Sequence, residues 1–195
     1  MLKKLNLFVP IFVCFTFLIS LFAPFINISE DISEKVLRLH ILANSDSDYD
    51  QNLKLEVRDL ILKETRNLFL QCKTLDDAIC TANNNIDKIT SIAESALDGE
   101  YSVSAMVIKE YFDTREYDNF TLPSGVYNSI KVIIGSGAGH NWWCVMFPQV
   151  CLSGCTDDLS DELTKDEFEF VTSNNCVVKF KVVEVYEKIK HKIIT

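Results

Sequence analysis

From Lys35 onward this chain is patterned for a few helices packed on a small sheet. From Lys35 to Ala43, Leu37, Leu39 and Ile41 alternate with Arg38 and His40. That period of two predicts a strand with one face toward a core. The strand stops at NSDSDYDQN, a cluster of turn formers able to cap a following helix. From about Asp50 to Gln71, Leu53, Val57, Leu60, Ile61 and Leu68 recur at helical spacing, with Lys54, Arg58 and Arg66 away from that stripe. Thr74 with Asp77 opens a second helix in a capping-box pattern. Its apolar face runs Leu75, Ile79, Ala82, Ile86, Ile89, Ala93 and Leu97, and Gly99 is its stop.

Tyr101–Phe112, Val126–Ile134 and Trp142–Phe147 read as strands rich in β-branched and aromatic residues. The glycine-rich link between the last two suits a hairpin, and Pro148 ends the third. Asp157–Phe170 is acidic and partly helical, with Thr164 and Glu167 as its cap. Val182, Val183, Tyr186 and Ile189 fit a C-terminal helix, although Val178, Phe180 and Val182 also alternate as in a strand. The expectation is an α+β domain: a small, mostly antiparallel sheet packed against two or three helices.

Before it comes a different pattern. Leu5 to Asn27 contains no charged residue and is long enough to span a bilayer. Lys3 and Lys4 precede it and Glu30, Asp31 and Glu34 follow, which predicts an inside N-terminus and an exported domain. Ala23 is followed by Pro24 and Phe25, a poor exit for a signal peptidase, so both a retained anchor and a cleaved signal stay open. Residues 1–27 are thus the export segment and 28–195 a single extracytoplasmic domain.

Composition sharpens this. The net charge is −9, and Lys3 and Lys4 supply two of the positive charges, leaving −11 on residues 28–195. An acidic domain without a basic stripe argues against nucleic acid and against anionic lipid head groups. Of seven cysteines, Cys14 lies in the apolar segment and six in the exported domain. Export permits disulfides, and Cys72 with Cys80 and Cys144 with Cys151 are the nearest pairs along the chain. Paired zinc-ligand spacings are missing, so no structural metal and no cofactor are expected.

GSGAGH at 135–140 leads into a strand-like run rather than a helix, which favours a tight turn over a phosphate loop. His140 and Cys144 are a conceivable base and nucleophile, but Cys144 sits among Trp142, Trp143, Val145 and Met146, without the cationic surroundings a reactive thiol needs. Asp46, Asp48 and Asp50 mimic a calcium loop, but Gln51 and Val57 stand where its glycine and glutamate belong. No enzyme signature emerges. Trp142 and Trp143, adjacent on a strand, must point to opposite faces. Either both are covered, or one meets a partner.

Two segments converge on one family. LRLHILANSDSDYDQNLKLEVRD (Leu37–Asp59) and GVYNSIKVIIGSGAGHNWWCVMFPQVC (Gly125–Cys151) resemble the two signatures of the stage II sporulation protein R family. The resemblance covers essentially the exported domain, and an export segment is expected with it. It implies a signal of endospore formation, made in the forespore and exported to the space between the two membranes. There it would activate a membrane-embedded aspartic protease that trims the sigma-E precursor. The signatures carry Trp142, Trp143, His140 and Asn141 as contact candidates, with Asn44, Ser45 and Asp46 as a second patch. Cys144 and Cys151 match the family motif; Cys72, Cys80, Cys155 and Cys176 do not. The competing functions are an envelope hydrolase using Cys144 and His140, and an envelope domain binding wall glycan through the tryptophans.

Overall fold

The computed structural model describes residues 2–148, 157–173 and 177–194. Its thirteen elements, in chain order, are α1 (Leu2–Ser33), β1 (Leu37–Leu42), α2 (Asp48–Phe69), α3 (Leu75–Asn84), α4 (Ile86–Ser95), β2 (Val103–Phe112), β3 (Arg115–Glu116), β4 (Thr121–Leu122), β5 (Gly125–Ile134), β6 (Asn141–Phe147), α5 (Asp157–Glu162), α6 (Lys165–Thr172) and α7 (Val177–Ile194). The class is α+β, and the main sheet is mixed, in the order β2-β5-β1-β6. β1 is parallel to β5, while the β2–β5 and β1–β6 pairs are antiparallel.

The alternation of β1 decides the two layers. Leu37, Leu39 and Ile41 enter a core shared with Val57, Ile61 and Phe69 of α2, Ala78 and Ala82 of α3, and Ile89 and Ala93 of α4. A second core on the far side joins Ile32 of α1, Phe112, Tyr127, Val145, Leu122 and the α5–α7 residues Leu159, Phe170 and Phe180. Helices therefore cover both sides of the sheet, more than the two or three the pattern suggested.

Two expectations need correction, and one element was not predicted. The helix predicted from Thr74 to Gly99 breaks at Asn85, whose φ is −116°. The Asn83 and Asn85 side chains donate to the carbonyls of Ile79 and Thr81, a local competition that weakens a helix. The glycine loop is not a hairpin, because β1 lies between β5 and β6. It instead arches over the end of β1. The short β3–β4 ribbon was missed, since two-residue strands leave no periodic signal. The helical reading of 178–189 holds over the strand alternative, and Thr164 and Glu167 form a reciprocal capping box.

α1 continues past residue 27 without a break, through Pro10 and Pro24. Its last turns belong to the fold: Ser29 and Ile32 are buried, Ser29 donates to the Ser124 carbonyl, and Phe25 stacks on Phe170. Among the described residues no helix is long and apolar enough to cross a membrane; the side chains before Pro10 and those of Phe15, Leu18 and Ile19 lie outside them.

Candidate functional site

The two signature segments fold against each other at one corner, where β1 ends and β6 begins. Gly135 and Gly137 take positive φ values of 57° and 63°, which turn the loop back over Asn44. The loop N–H groups of Ala138 and Gly139 donate to the carbonyls of Asn44 and Ala43 at 3.2 and 2.9 Å. Asn44 Oδ1 accepts from the Ser136 N–H, and Ser136 Oγ donates to the Asn44 carbonyl. A Cβ on Gly139 would fall 2.2 Å from the Ser45 carbonyl oxygen, so glycine is there for close approach.

Beneath the loop, Asp50 gathers the turn. Its carboxylate accepts from Ser45 Oγ, Asn44 Nδ2 and Tyr101 Oη at 2.6, 3.0 and 2.9 Å. The Ser45 and Asn44 bonds hold that carboxyl below its ordinary pKa. Asn44 and Ser45, both half-buried, thus fasten the turn to Asp50. Asp46 is exposed and accepts at one Oδ1 from the His140 backbone N–H (2.6 Å), with the His140 Nδ1 at 2.5 Å.

The polar face of α2 is part of this corner. Lys54 is buried and donates to the His140 carbonyl at 2.9 Å. Burial lowers its pKa. The Arg58 guanidinium lies 4.4 Å over the Trp142 ring.

The tryptophans take opposite faces, as strand geometry requires, and each is half-buried. Trp142 packs on the α2–α4 side. Trp143 stacks on His40, centroids 5.7 Å apart, and carries the Arg115 guanidinium at 3.8 Å. Both are capped by arginine, so neither projects freely.

The strand face behind Trp143 carries a charged ladder that pattern reading did not find. His40 contacts Glu110 through Nδ1 at 2.9 Å and Asn141 Oδ1 through Nε2 at 3.1 Å. Lys131 donates to the other Glu110 oxygen at 3.1 Å. Burial alone would raise the Glu110 pKa, but His40 and Lys131 outweigh it and hold it at about 2. Lower on the same face Arg38 is fully buried, donates to Tyr117 Oη at 2.9 Å, and lies 4.0 Å over Phe112. His40 and Arg38 were visible as the polar side of β1. Their partners sit on β2, on β6 and just past β3, and only pairing brings them together.

A cleft of about 750 Å³ opens at this corner, lined by Asp46, Arg115, Tyr117, His140, Trp142 and Trp143, among others. Arg115 and Tyr117, which no sequence signal marked, form its far wall. The site therefore unites His140, Asn141, Trp142, Trp143 and Asp46, with Asn44 and Ser45 as its foundation.

The cysteines are placed differently from the chain-distance expectation. Cys72 and Cys80 are free thiols, so they do not pair. Cys72 lies in the α2–α3 link and Cys80 within α3; Cys72 Sγ meets Thr81 and Cys80 Sγ accepts from Asn84. Cys144 is buried in the helix-side core and disulfide-bonded; Cys151, Cys155 and Cys176 lie outside the described residues. The Cys144 sulphur is therefore not a thiol placed for attack, and His140 is paired with Asp46. Among the described residues, no group of three His, Cys, Asp or Glu side chains is placed to hold a metal ion.

The fold is thus a mixed sheet between two helical layers, with two short loops clasped at one corner beside an aromatic-lined cleft. Residues 33–157 match the Stage II sporulation protein R family (spore_II_R), and the chain belongs to that family. A relative, Stage II sporulation protein R of Bacillus subtilis (strain 168), is 37% identical over 123 residues, which are 62% of this chain and 55% of the relative. The match thus spans little more than half the relative's length. No solved structure matches. Membership assigns the chain a role in sporulation.

Proposed function

We propose that this chain is an exported, non-catalytic signal of endospore formation that activates the membrane-embedded aspartic protease processing the sigma-E precursor. The observation that carries the reading is the union of both family segments in one corner with a cleft. A chain needing only stability has little use for a half-open pocket walled by two tryptophans and a stacked arginine. Residues of this kind dominate protein interfaces. In this reading the domain leaves the forespore by its N-terminal segment and stays in the intermembrane space, led or anchored by residues 1–27. The cleft then contacts the extracytoplasmic part of the protease and favours its active state by binding that state better. Trp143, Arg115, Tyr117, His140 and Asn141 make the contact, with Trp142 and Asp46 at its rim.

The test is deletion of the gene in a spore-forming host, with sigma-E precursor cleavage followed by immunoblot. Wild type restores cleavage. Trp142→Ala/Trp143→Ala and Arg115→Glu do not, although the arginine variant, on an exposed ribbon, is exported and folded by circular dichroism. Normal cleavage without the gene would sink the proposal and bring the wall-binding alternative forward. Full rescue by both variants would remove the cleft from the mechanism.

A further inference from the structure

The exposed apolar surface of this protein is concentrated on two touching helices. Of the fourteen exposed large hydrophobic side chains among the described residues, five are on α1 (Ile11, Phe12, Val13, Phe17, Leu21) and five on α7 (Val178, Val185, Tyr186, Ile189, Ile193). α7 lies outside the segment matched to the family. Its inward face is accounted for by Phe180, Val183 and Glu187, all buried. The outward face is not.

Set at 3.6 residues per turn, Val178, half-buried Val182, Val185, Tyr186, Ile189 and Ile193 fall in one arc of roughly 100°. Lysines border it on both sides: Lys181, Lys188 and Lys192 on one flank, Lys179 and Lys190 on the other. With five lysines and two glutamates, α7 carries +3 in a chain of −9, leaving −12 elsewhere. The sequence reading found no basic stripe. Folding the C-terminal segment into a helix creates one.

Neighbouring contacts fix the orientation. Lys179 Nζ lies 4.8 Å over the Phe25 ring, and Lys190 Nζ reaches Glu30 at 2.5 Å, so α7 runs beside the last turns of α1. On the other flank Lys181 and Lys188 pair with Glu184, and Lys188 also with Asp113. Their side chains remain 70% and 49% exposed, splayed beside the apolar arc. An apolar strip edged by long cationic side chains is the form of a helix lying in a lipid interface, with lysine stems along the strip and ammonium groups at the phosphates.

We propose that α7 is an interfacial helix that docks on an anionic bilayer beside the N-terminal segment. The docking sets the height and tilt of the domain, and so of its cleft, above the membrane. It rests on the membrane reading of residues 1–27 only for that position, since lipid contact by α7 is a property of its own face.

The test uses the full chain mixed with vesicles of phosphatidylcholine, with or without phosphatidylglycerol, brominated on the acyl chains. Ile189→Trp adds an emitter at an exposed site, and wild type supplies the Trp142 and Trp143 background. The added emission is quenched in anionic vesicles, and Lys181→Gln/Lys188→Gln/Lys192→Gln weakens docking by about fivefold per lysine removed. Sedimentation with vesicles but no quenching of the added emission overturns the α7 inference alone. Loss of both sedimentation and quenching overturns it together with the membrane reading of the N-terminal segment. Quenching indifferent to phosphatidylglycerol and to the lysines overturns the anionic specificity. An unquenched stripe on which Ile189→Asp dissolves a concentration-dependent dimer assigns the face to a second copy, and overturns the lipid proposal.

Discussion

Gly139→Ala tests whether the two signature segments are mechanically one unit. The added Cβ would lie 2.2 Å from the Ser45 carbonyl oxygen, 2.5 Å from its carbon and 3.0 Å from Ala43 Cβ. Carbon contacts settle near 3.5 Å, so loop and turn must part by about 1 Å. The first two obstacles are backbone, in a turn pinned through Asn44 and Ser45 to Asp50. The loop therefore gives way. Its bonds from Gly139 to Ala43 and from Ala138 to Asn44 are the ones stretched. At about 1 kcal/mol each they amount to a loss of ~2 kcal/mol. Reduced freedom of the unfolded chain offsets about 0.5 kcal/mol. The expected destabilisation is ~1.5 kcal/mol, read as a lower urea midpoint with an unchanged slope. Tryptophan emission is the natural probe, since both indoles adjoin the loop. Gly125→Ala is the control: its nearest atoms are 3.5 and 3.8 Å away, ordinary contacts, and its midpoint should stay within about 0.5 kcal/mol of wild type. If Gly139→Ala is as stable as Gly125→Ala, the clasp is not rigid and this reasoning fails.

Glu110 gives an acid dependence whose sign follows from its environment. Its folded pKa is depressed from 4.5 to about 2, so the stabilisation is fully present above pH 4.5 and is lost as pH falls toward 2. After allowance for solvent screening it is worth about 2 kcal/mol, and Glu110→Gln should flatten that part of the stability profile; an unchanged acid limb would contradict the ladder. For the cysteines, a thiol reagent applied without reductant should label exposed Cys80 before half-buried Cys72 and leave Cys144 untouched. Peptide mapping reads this directly, and a labelled Cys144 would reopen the hydrolase alternative.

Local pattern determined much of this protein. The period of two in β1, the helical stripe of α2 and the caps at Thr74 and Thr164 are short-range physics, legible because each depends on neighbours a few residues away. The separation of Trp142 from Trp143 followed from the pleat alone. The glycine loop and the ANSDS turn were each visible as segments, but their clasp was not, since Ser136 and Asn44 are separated by 92 positions. Strand order decided it: with β1 inserted between β5 and β6, the link joining them had to cross the exit of β1. The same pairing aligned His40 with Lys131 and drew Glu110 onto that face. Arg115 and Tyr117 reached the cleft on a ribbon too short to leave a period. Lys54 and Arg58 were legible only as residues off the apolar stripe of α2; the glycine loop and β6 gave them their partners. The basic stripe of α7 shows the same limit. Its lysines are scattered in sequence, and a charge becomes a surface feature only when helix rotation sets it beside others.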